Sequence, residues 1–228
     1  MLTNRQLIIP YTAPYLAYVG IASIPHSYIS IEINYLLRVF VVSALLVWAR
    51  RWYCTLTGPR SLKGSMLIGT GAGIIGVTLW ITLLSPFTSA ANSTTWSLQG
   101  FALRLFCAGL LVPLFEEIMM RGFVFRLALQ WGSARKNQTA DPLQTVLDEH
   151  SVNDVAPGQW SWLAVIMSTF FFTAGHAMHE WLAALSFGLL MALLWVYRKD
   201  LVACITAHAV ANTALALYVF TTGNWHYW

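Results

Sequence analysis

The sequence predicts an all-α bundle of about seven to eight transmembrane helices that surround a polar site. Of the 228 residues, 57% are hydrophobic and only 10% are charged, whereas about a quarter of the residues in a soluble domain are charged. The apolar residues occur in long runs, as membrane-spanning helices require. Few polar residues interrupt these runs. We therefore expect a single integral-membrane domain over residues 1–228.

Seven apolar runs give the predicted helices in chain order. The first run follows Arg5 and resembles a signal peptide, but Pro10 and Pro14 interrupt it and no clear cleavage site follows, so we interpret it as a retained span. The fourth run is longer than the roughly 20 residues that one helix needs. It is either one long helix or a span with an amphipathic extension, and it has room for an eighth span. The runs cover residues 7–24, 31–48, 65–84, 98–131, 160–176, 181–197 and 201–222.

The third run contains Gly69 and Gly73 in a G-x-x-x-G spacing. Two glycines four positions apart lie on one helix face, and their lack of side chains lets another helix approach closely. We expect a helix–helix contact at this face.

The loops predict the orientation. Residues 49–63 carry four basic side chains and no acid, and the link at residues 198–200 is also basic, whereas residues 85–97 have neither Lys nor Arg. Cytoplasmic loops are enriched in Lys and Arg, so the basic loops are predicted to be cytoplasmic and residues 85–97 external. This distribution explains the net charge of +4 without nucleic acid. The polar segment 132–159 is predicted to be a loop and not a second domain.

Two adjacent glutamates lie inside the fourth run. A charge inside the bilayer costs about 2.5–3.5 kcal/mol on insertion scales, so such residues are usually functional. Glu117 and Arg121 are four positions apart, share a helix face and can pair. Glu116 is rotated from Glu117 by about 100° and points elsewhere. His176, His208 and Asn212 are polar residues on other runs, and His208 and Asn212 share a helix face.

Each of these residues has a simple explanation when it is taken alone: a buried ion pair, a packed histidine, or polar contacts between helices. Together they form a hydrolytic constellation. Glu116 would act as general base toward a water, and His176 would hold that water. His208 and Asn212 would donate hydrogen bonds to an oxyanion.

A zinc site is the main alternative use of the same groups. Glu116, His176 and His208 would supply two imidazoles and a carboxylate with one open position, but the sequence contains no H-E-x-x-H motif. The cysteines are far apart without C-x-x-C spacing, so neither a disulfide framework nor a thiolate cluster is expected. We expect no metal and no cofactor. The cysteines are Cys54, Cys107 and Cys204.

Two non-hydrolytic functions also remain open. The chain would be a non-enzymatic membrane scaffold or immunity protein if the polar groups only join helices. It would be a proton-coupled transporter if Glu116 and Glu117 carried protons, although the absence of an internal repeat gives this reading little support.

Three motifs in order resemble those of the CPBP intramembrane proteases. They are E-E-x-x-x-R from Glu116 to Arg121, F-x-x-x-H from Phe172 to His176, and H-x-x-x-N from His208 to Asn212. This family includes CAAX prenyl endopeptidases and bacteriocin-processing or immunity proteins, and the resemblance covers residues 98–222. It implies a metal-independent glutamic protease. The implied catalytic residues are Glu116, His176, His208 and Asn212, supported by Glu117 and Arg121.

Residues 176–181 and 222–228 also resemble a bacterial subgroup that is linked to exosortase and PEP-CTERM systems. This resemblance implies a link to an exosortase system, and we expect a multi-pass protein of the bacterial inner membrane. The expected partner is a protein or peptide substrate in or at the bilayer. That substrate is either a prenylated chain that approaches from the cytoplasm or a surface-bound protein.

Overall fold

The computed structural model describes residues 2–88 and 96–227, and this part of the chain is helical without strands. The all-α prediction is confirmed. Residues 89–95, within the predicted external loop, and Trp228 lie outside the described residues. The described helices are α1 (Asn4–Ala22), α2 (Ile31–Ala49), α3 (Leu62–Leu84), α4 (Leu98–Lys136), α5 (Pro142–Glu149), α6 (Trp162–Ala174), α7 (Trp181–Arg198) and α8 (Leu201–Thr222).

Five of these helices, α2, α3, α4, α7 and α8, are long and apolar enough to cross a membrane. The chain is therefore a multi-pass membrane protein, and α1 and α6 of the seven predicted spans lie outside these five candidates. Helix α6 has 13 residues, which is about 20 Å of helix against a hydrocarbon core of about 30 Å. Helix α1 is less apolar because polar residues occupy its start and Pro10 and Pro14 lie within it.

Helix α4 is continuous over 39 residues, so the long fourth run holds no eighth span. Two π-helical segments, Cys107–Leu111 and Ile118–Val124, flank the turn that carries Pro113 and both glutamates. The wider π turn is uncommon and occurs frequently at functional sites. Proline has no backbone N–H, so one carbonyl group of the preceding turn needs another donor.

The predicted glycine contact is confirmed between α3 and α8. A methyl group on Gly69 would lie 2.6 Å from the carbonyl oxygen of Ala203, and one on Gly73 would lie 2.5 Å from that of Ala207. Both distances are too short for any side chain. Helix α8 therefore packs tightly on α3, and it also contacts α4 and α7. This central position places His208 and Asn212 beside the glutamates.

The polar segment packs against the start of α1. Asn4 is fully buried, and its side-chain amide donates to the carbonyl oxygens of Val146 and of the Gln130 side chain, both at 2.8 Å. Its Oδ1 accepts a 2.6 Å bond from the backbone N–H of Val152. Helix α4 extends to Lys136 and so includes the first residues of the segment, and α5 follows at Pro142–Glu149. The loop thus covers the end of the bundle where α1 begins and α4 ends.

Candidate active site

Glu117 and Arg121 form a buried ion pair on α4, as their spacing predicts. Both side chains are fully buried, and Arg121 Nη1 lies 3.1 Å and 3.2 Å from the two carboxylate oxygens of Glu117. Arg121 Nη2 donates to the carbonyl oxygen of Gly188 on α7 at 2.8 Å. The guanidinium also lies over the ring of Phe172, 5.4 Å from its centroid. The pair therefore joins α4 to α6 and α7.

His208 connects the two glutamates. Its Nδ1 lies 2.9 Å from Oε1 of Glu117, and its Nε2 lies 4.0 Å from Oε2 of Glu116. A carboxylate accepts hydrogen bonds, so Nδ1 carries a proton and donates it to Glu117. The histidine ring is thereby oriented with its other nitrogen toward Glu116. The sequence predicts only the pair between Glu117 and Arg121. It does not predict the contact between Glu117 and His208, because His208 is 91 positions further along the chain.

Glu116 faces a different environment from Glu117. Its side chain is 13% exposed, whereas that of Glu117 is 0% exposed, and it lines a cavity of about 300 Å³. The rotation of about 100° between neighbouring residues of a helix explains this difference. A carboxylate that borders space for water and substrate is in the position that a general base requires.

His176 lies in a turn and not on a helix, which corrects the predicted span over residues 160–176. Helix α6 ends at Ala174, and Gly175 follows at its C-cap. His176 Nδ1 lies 2.8 Å from the carbonyl oxygen of Phe172. Because a carbonyl only accepts, Nδ1 carries the proton and Nε2 of the neutral ring has a free lone pair. His176 is one of the residues that line the cavity.

Asn212 binds a backbone carbonyl group in the irregular part of α4. Its Nδ2 donates to the carbonyl oxygen of Ala108 at 2.8 Å, on the π-helical segment before Pro113. The amide nitrogen has two N–H groups, so one remains for a second acceptor. Asn212 and His208 both line the cavity, in agreement with their four-residue spacing on α8.

The cavity brings Glu116, His176, His208 and Asn212 together, whereas Glu117 and Arg121 lie behind its wall.

The cavity also contains charged groups that were not predicted to lie there. Arg38 is buried, and its guanidinium lies 4.1 Å from the ring centroid of Tyr35. An arginine inside an apolar run is the signal that would have identified these groups. The additional cavity residues with polar side chains are Tyr18, Tyr35, Arg38, Trp80, Arg104, Glu180 and Tyr227.

The described residues contain no group of three His, Cys, Asp or Glu side chains that is arranged to hold a metal ion. The zinc alternative of Glu116, His176 and His208 is therefore not favoured by the geometry. Metal independence itself stays a prediction.

Comparison with known proteins gives one match. The family model described as type II CAAX prenyl endopeptidase, Rce1-like, matches residues 98–214, which is half of the chain and includes every proposed site residue. No curated protein and no solved structure matches the chain.

Proposed function

Because the chain belongs to the Rce1-like family of type II CAAX prenyl endopeptidases, we propose that it hydrolyses peptide bonds in the membrane with Glu116 as general base. The observation that supports this proposal is the cavity in which the Glu116 carboxylate, two imidazoles and an amide come together. These groups provide a proton acceptor, a water-binding group and two hydrogen-bond donors, which together meet the needs of amide hydrolysis.

In the first step, Glu116 removes a proton from a water molecule as the water oxygen attacks the peptide carbonyl carbon. A C–O bond forms, and the carbonyl oxygen becomes an oxyanion. In the second step, the C–N bond breaks and the proton held by Glu116 passes to the leaving amine. The carboxylate is regenerated, so that no cofactor is consumed. His176 assists by accepting a hydrogen bond from the water through Nε2.

The oxyanion is stabilised by His208 and Asn212. When both ring nitrogens of His208 are protonated, Nδ1–H donates to Glu117 and Nε2–H donates to the oxyanion. The second N–H of the Asn212 amide donates to the same oxygen. Donors held in position before the reaction are worth about 3–4 kcal/mol each in the transition state. Glu117 and Arg121 support the site by fixing the His208 ring and the helices around it.

We further propose a location in the bacterial inner membrane. The exosortase link stays a prediction from residues 176–181 and 222–228, the last of which lies outside the described residues. The family match supports a peptide substrate at the membrane but not membership of the exosortase subgroup.

Comparison of new protein termini in membranes tests the proposed function. Cells that produce the wild-type chain are compared with cells that produce Glu116→Ala at the same level in the membrane. We expect termini that occur only with the wild type, and these identify the substrate. The same set of termini with both chains would contradict the role of Glu116 and favour the scaffold or immunity function.

Chelation separates the glutamate mechanism from the zinc alternative. Under the proposed mechanism, purified wild-type protein keeps its cleavage rate in the presence of a chelator. Loss of activity with the chelator, followed by recovery on addition of zinc, would replace this mechanism with zinc-dependent hydrolysis.

A further inference from the structure

The active-site cavity extends toward only one end of the bundle. On α4 its lining runs from Arg104 to Glu116 and no further, and on α8 it begins at His208 and continues to Leu215. These two helices run in opposite directions through the bundle, so both observations place Glu116 and His208 at the cavity floor. The cavity extends from that floor toward the end of the bundle that holds the links 23–30, 175–180 and 223–227 and the described residues 85–88 and 96–97 of the link between α3 and α4, which we call the cavity face.

The other helices support the same direction. The cavity is lined by Tyr35 and Arg38 near the start of α2, by Trp80 near the end of α3, and by Phe187 near the start of α7. The first residues of α2 and α7 and the last residues of α3 all lie toward the cavity face. The wall of the cavity is therefore built from the half of each helix that is nearer to this face.

The protein is closed beneath the cavity floor. Glu117, Arg121, Met191 and Cys204 are all fully buried there. Further along, the opposite end of the bundle holds the links 50–61, 137–161 and 198–200, which we call the basic face.

Hydrogen bonds across helices tie the basic face together. Ser65 donates to Asp200 at 2.6 Å and accepts from Arg198 at 2.8 Å. The backbone N–H of Leu201 donates to the carbonyl oxygen of Leu56 at 2.9 Å. These contacts join α3, α7, α8 and the link between α2 and α3, so a substrate on this side meets packed protein.

The two faces differ in the number of Lys and Arg residues in their links, although the link 137–161 of the basic face itself contains neither. The four links of the cavity face contain neither Lys nor Arg. Arg38 and Arg104 do lie in the cavity-side half, but they lie within helices, whereas the orientation rule counts residues in loops. Of the 13 Lys and Arg residues, nine lie in the links of the basic face or at the helix ends beside them: Arg5, Arg50, Arg51, Arg60, Lys63, Arg135, Lys136, Arg198 and Lys199.

We propose that the cavity takes its substrate from the non-cytoplasmic side of the membrane. The positive-inside rule places the basic face in the cytoplasm, and the cavity face then lies outside. The substrate class is a membrane-anchored peptide whose scissile bond is presented at the outer face of the bilayer. A prenylated chain that approaches from the cytoplasm would meet the closed basic face. This assignment of the substrate rests on the proposed function, whereas the orientation of the cavity does not.

Labelling of single introduced cysteines tests the orientation. Met178 is 80% exposed and lies on the turn after His176 at the cavity face, and Thr57 is exposed on the basic face. Met178→Cys and Thr57→Cys are each treated with a membrane-impermeant maleimide in intact spheroplasts and after permeabilisation. The wild-type chain is the blank, because its three cysteines are buried.

We expect Met178→Cys to react in intact spheroplasts as fully as after permeabilisation, and Thr57→Cys to react only after permeabilisation. The reverse pattern, or equal labelling of both in intact spheroplasts, would overturn the proposal. Ser27→Cys, exposed on a second link of the cavity face, provides the same reading if Met178→Cys does not accumulate.

The new termini found with the wild type and not with Glu116→Ala test the substrate class. They should map to non-cytoplasmic segments of membrane-anchored proteins, and termini in cytoplasmic segments would overturn this assignment. If labelling gives the expected orientation but no new termini are found, the proposed function fails while the orientation stands.

Discussion

Glu116 and Glu117 are neighbours in the sequence but have different surroundings in the structure. Glu117 is enclosed by Arg121 and His208, whereas Glu116 borders the cavity. Helix geometry predicts this division from the sequence, because consecutive residues point about 100° apart. The contact between Glu117 and His208 was not predictable, since no local pattern relates α4 to α8. It orients the ring that the proposed mechanism uses at the oxyanion.

Replacement of Asn212 tests the oxyanion donor. We expect Asn212→Ala to lower kcat by about 100-fold to 1000-fold, because one donor to the transition state is removed, with a smaller change in KM. The measurement is steady-state cleavage of a substrate identified from the new termini.

Asn212 also has a structural contact, so stability needs its own measurement. The variant leaves the carbonyl oxygen of Ala108 without its donor, which costs about 1–3 kcal/mol when the group is buried. A purely structural role predicts lower thermal stability with an unchanged kcat for the folded protein. That combination would exclude Asn212 from the oxyanion site.

At the scale of the helices, the glycines of α3 were predictable and the irregularities of α4 and α6 were not. The G-x-x-x-G spacing is visible in the sequence, whereas no comparable spacing marks the π-helical segments Cys107–Leu111 and Ile118–Val124. The early end of α6 has a visible signal, Gly175, but nothing in the apolar pattern shows that His176 lies beyond the helix. The chemical identity of the site residues is therefore easier to predict than their local backbone.

Substitution of Gly73 tests the contact between α3 and α8. We expect Gly73→Ala to lower the free energy of unfolding by about 1–3 kcal/mol, the typical effect of overpacking, because its Cβ would meet the carbonyl oxygen of Ala207 at 2.5 Å. The measurement is thermal unfolding in detergent.

Gly71 provides the matched control on the same helix. A Cβ at this position meets no atom within 4 Å, so Gly71→Ala should be neutral or stabilise by up to about 1 kcal/mol through helix propensity. Equal destabilisation by both variants would show that helix contact is not the cause.

The packing of the polar loop against the start of α1 should depend more on Asn4 than on the surface ion pair between Arg5 and Asp148. We expect Asn4→Ala to destabilise the protein by about 1–3 kcal/mol or more, because buried partners lose their hydrogen bonds. Limited proteolysis within residues 137–160 measures the release of the loop. Unchanged protection of the loop would contradict this role.

Asp148 is the corresponding surface control. The hydrogen bond from Arg5 lowers the pKa of the Asp148 carboxyl below its usual value. The stabilisation from this pair is present at pH values above the pKa of the Asp148 carboxyl in the unfolded chain. It is lost as the pH falls through the lowered pKa of the same carboxyl in the folded chain. Both side chains are exposed, so Asp148→Asn should leave proteolysis at neutral pH nearly unchanged.

At the scale of the whole molecule, the sequence predicted the membrane bundle, and the orientation of its loops stays a prediction. It did not predict where the cavity lies between the two faces, because that depends on how seven segments pack. Arg38 and Arg104 illustrate the difference: each is visible as a charge in an apolar run, but only the fold places both in the cavity with Glu116. Charge asymmetry and cavity position together give the proposed direction of substrate access.

The most direct measurement of the central claim is the cleavage rate of purified Glu116→Gln relative to wild type. Glutamine keeps the size of the side chain but is not a base, so we predict a loss of at least about 100-fold, as general bases typically contribute. The thermal stability should stay close to that of the wild type, since Glu116 lines the cavity and its ionic partner His208 is 4.0 Å away. A folded Glu116→Gln protein that cleaves within a few-fold of the wild-type rate would contradict the account.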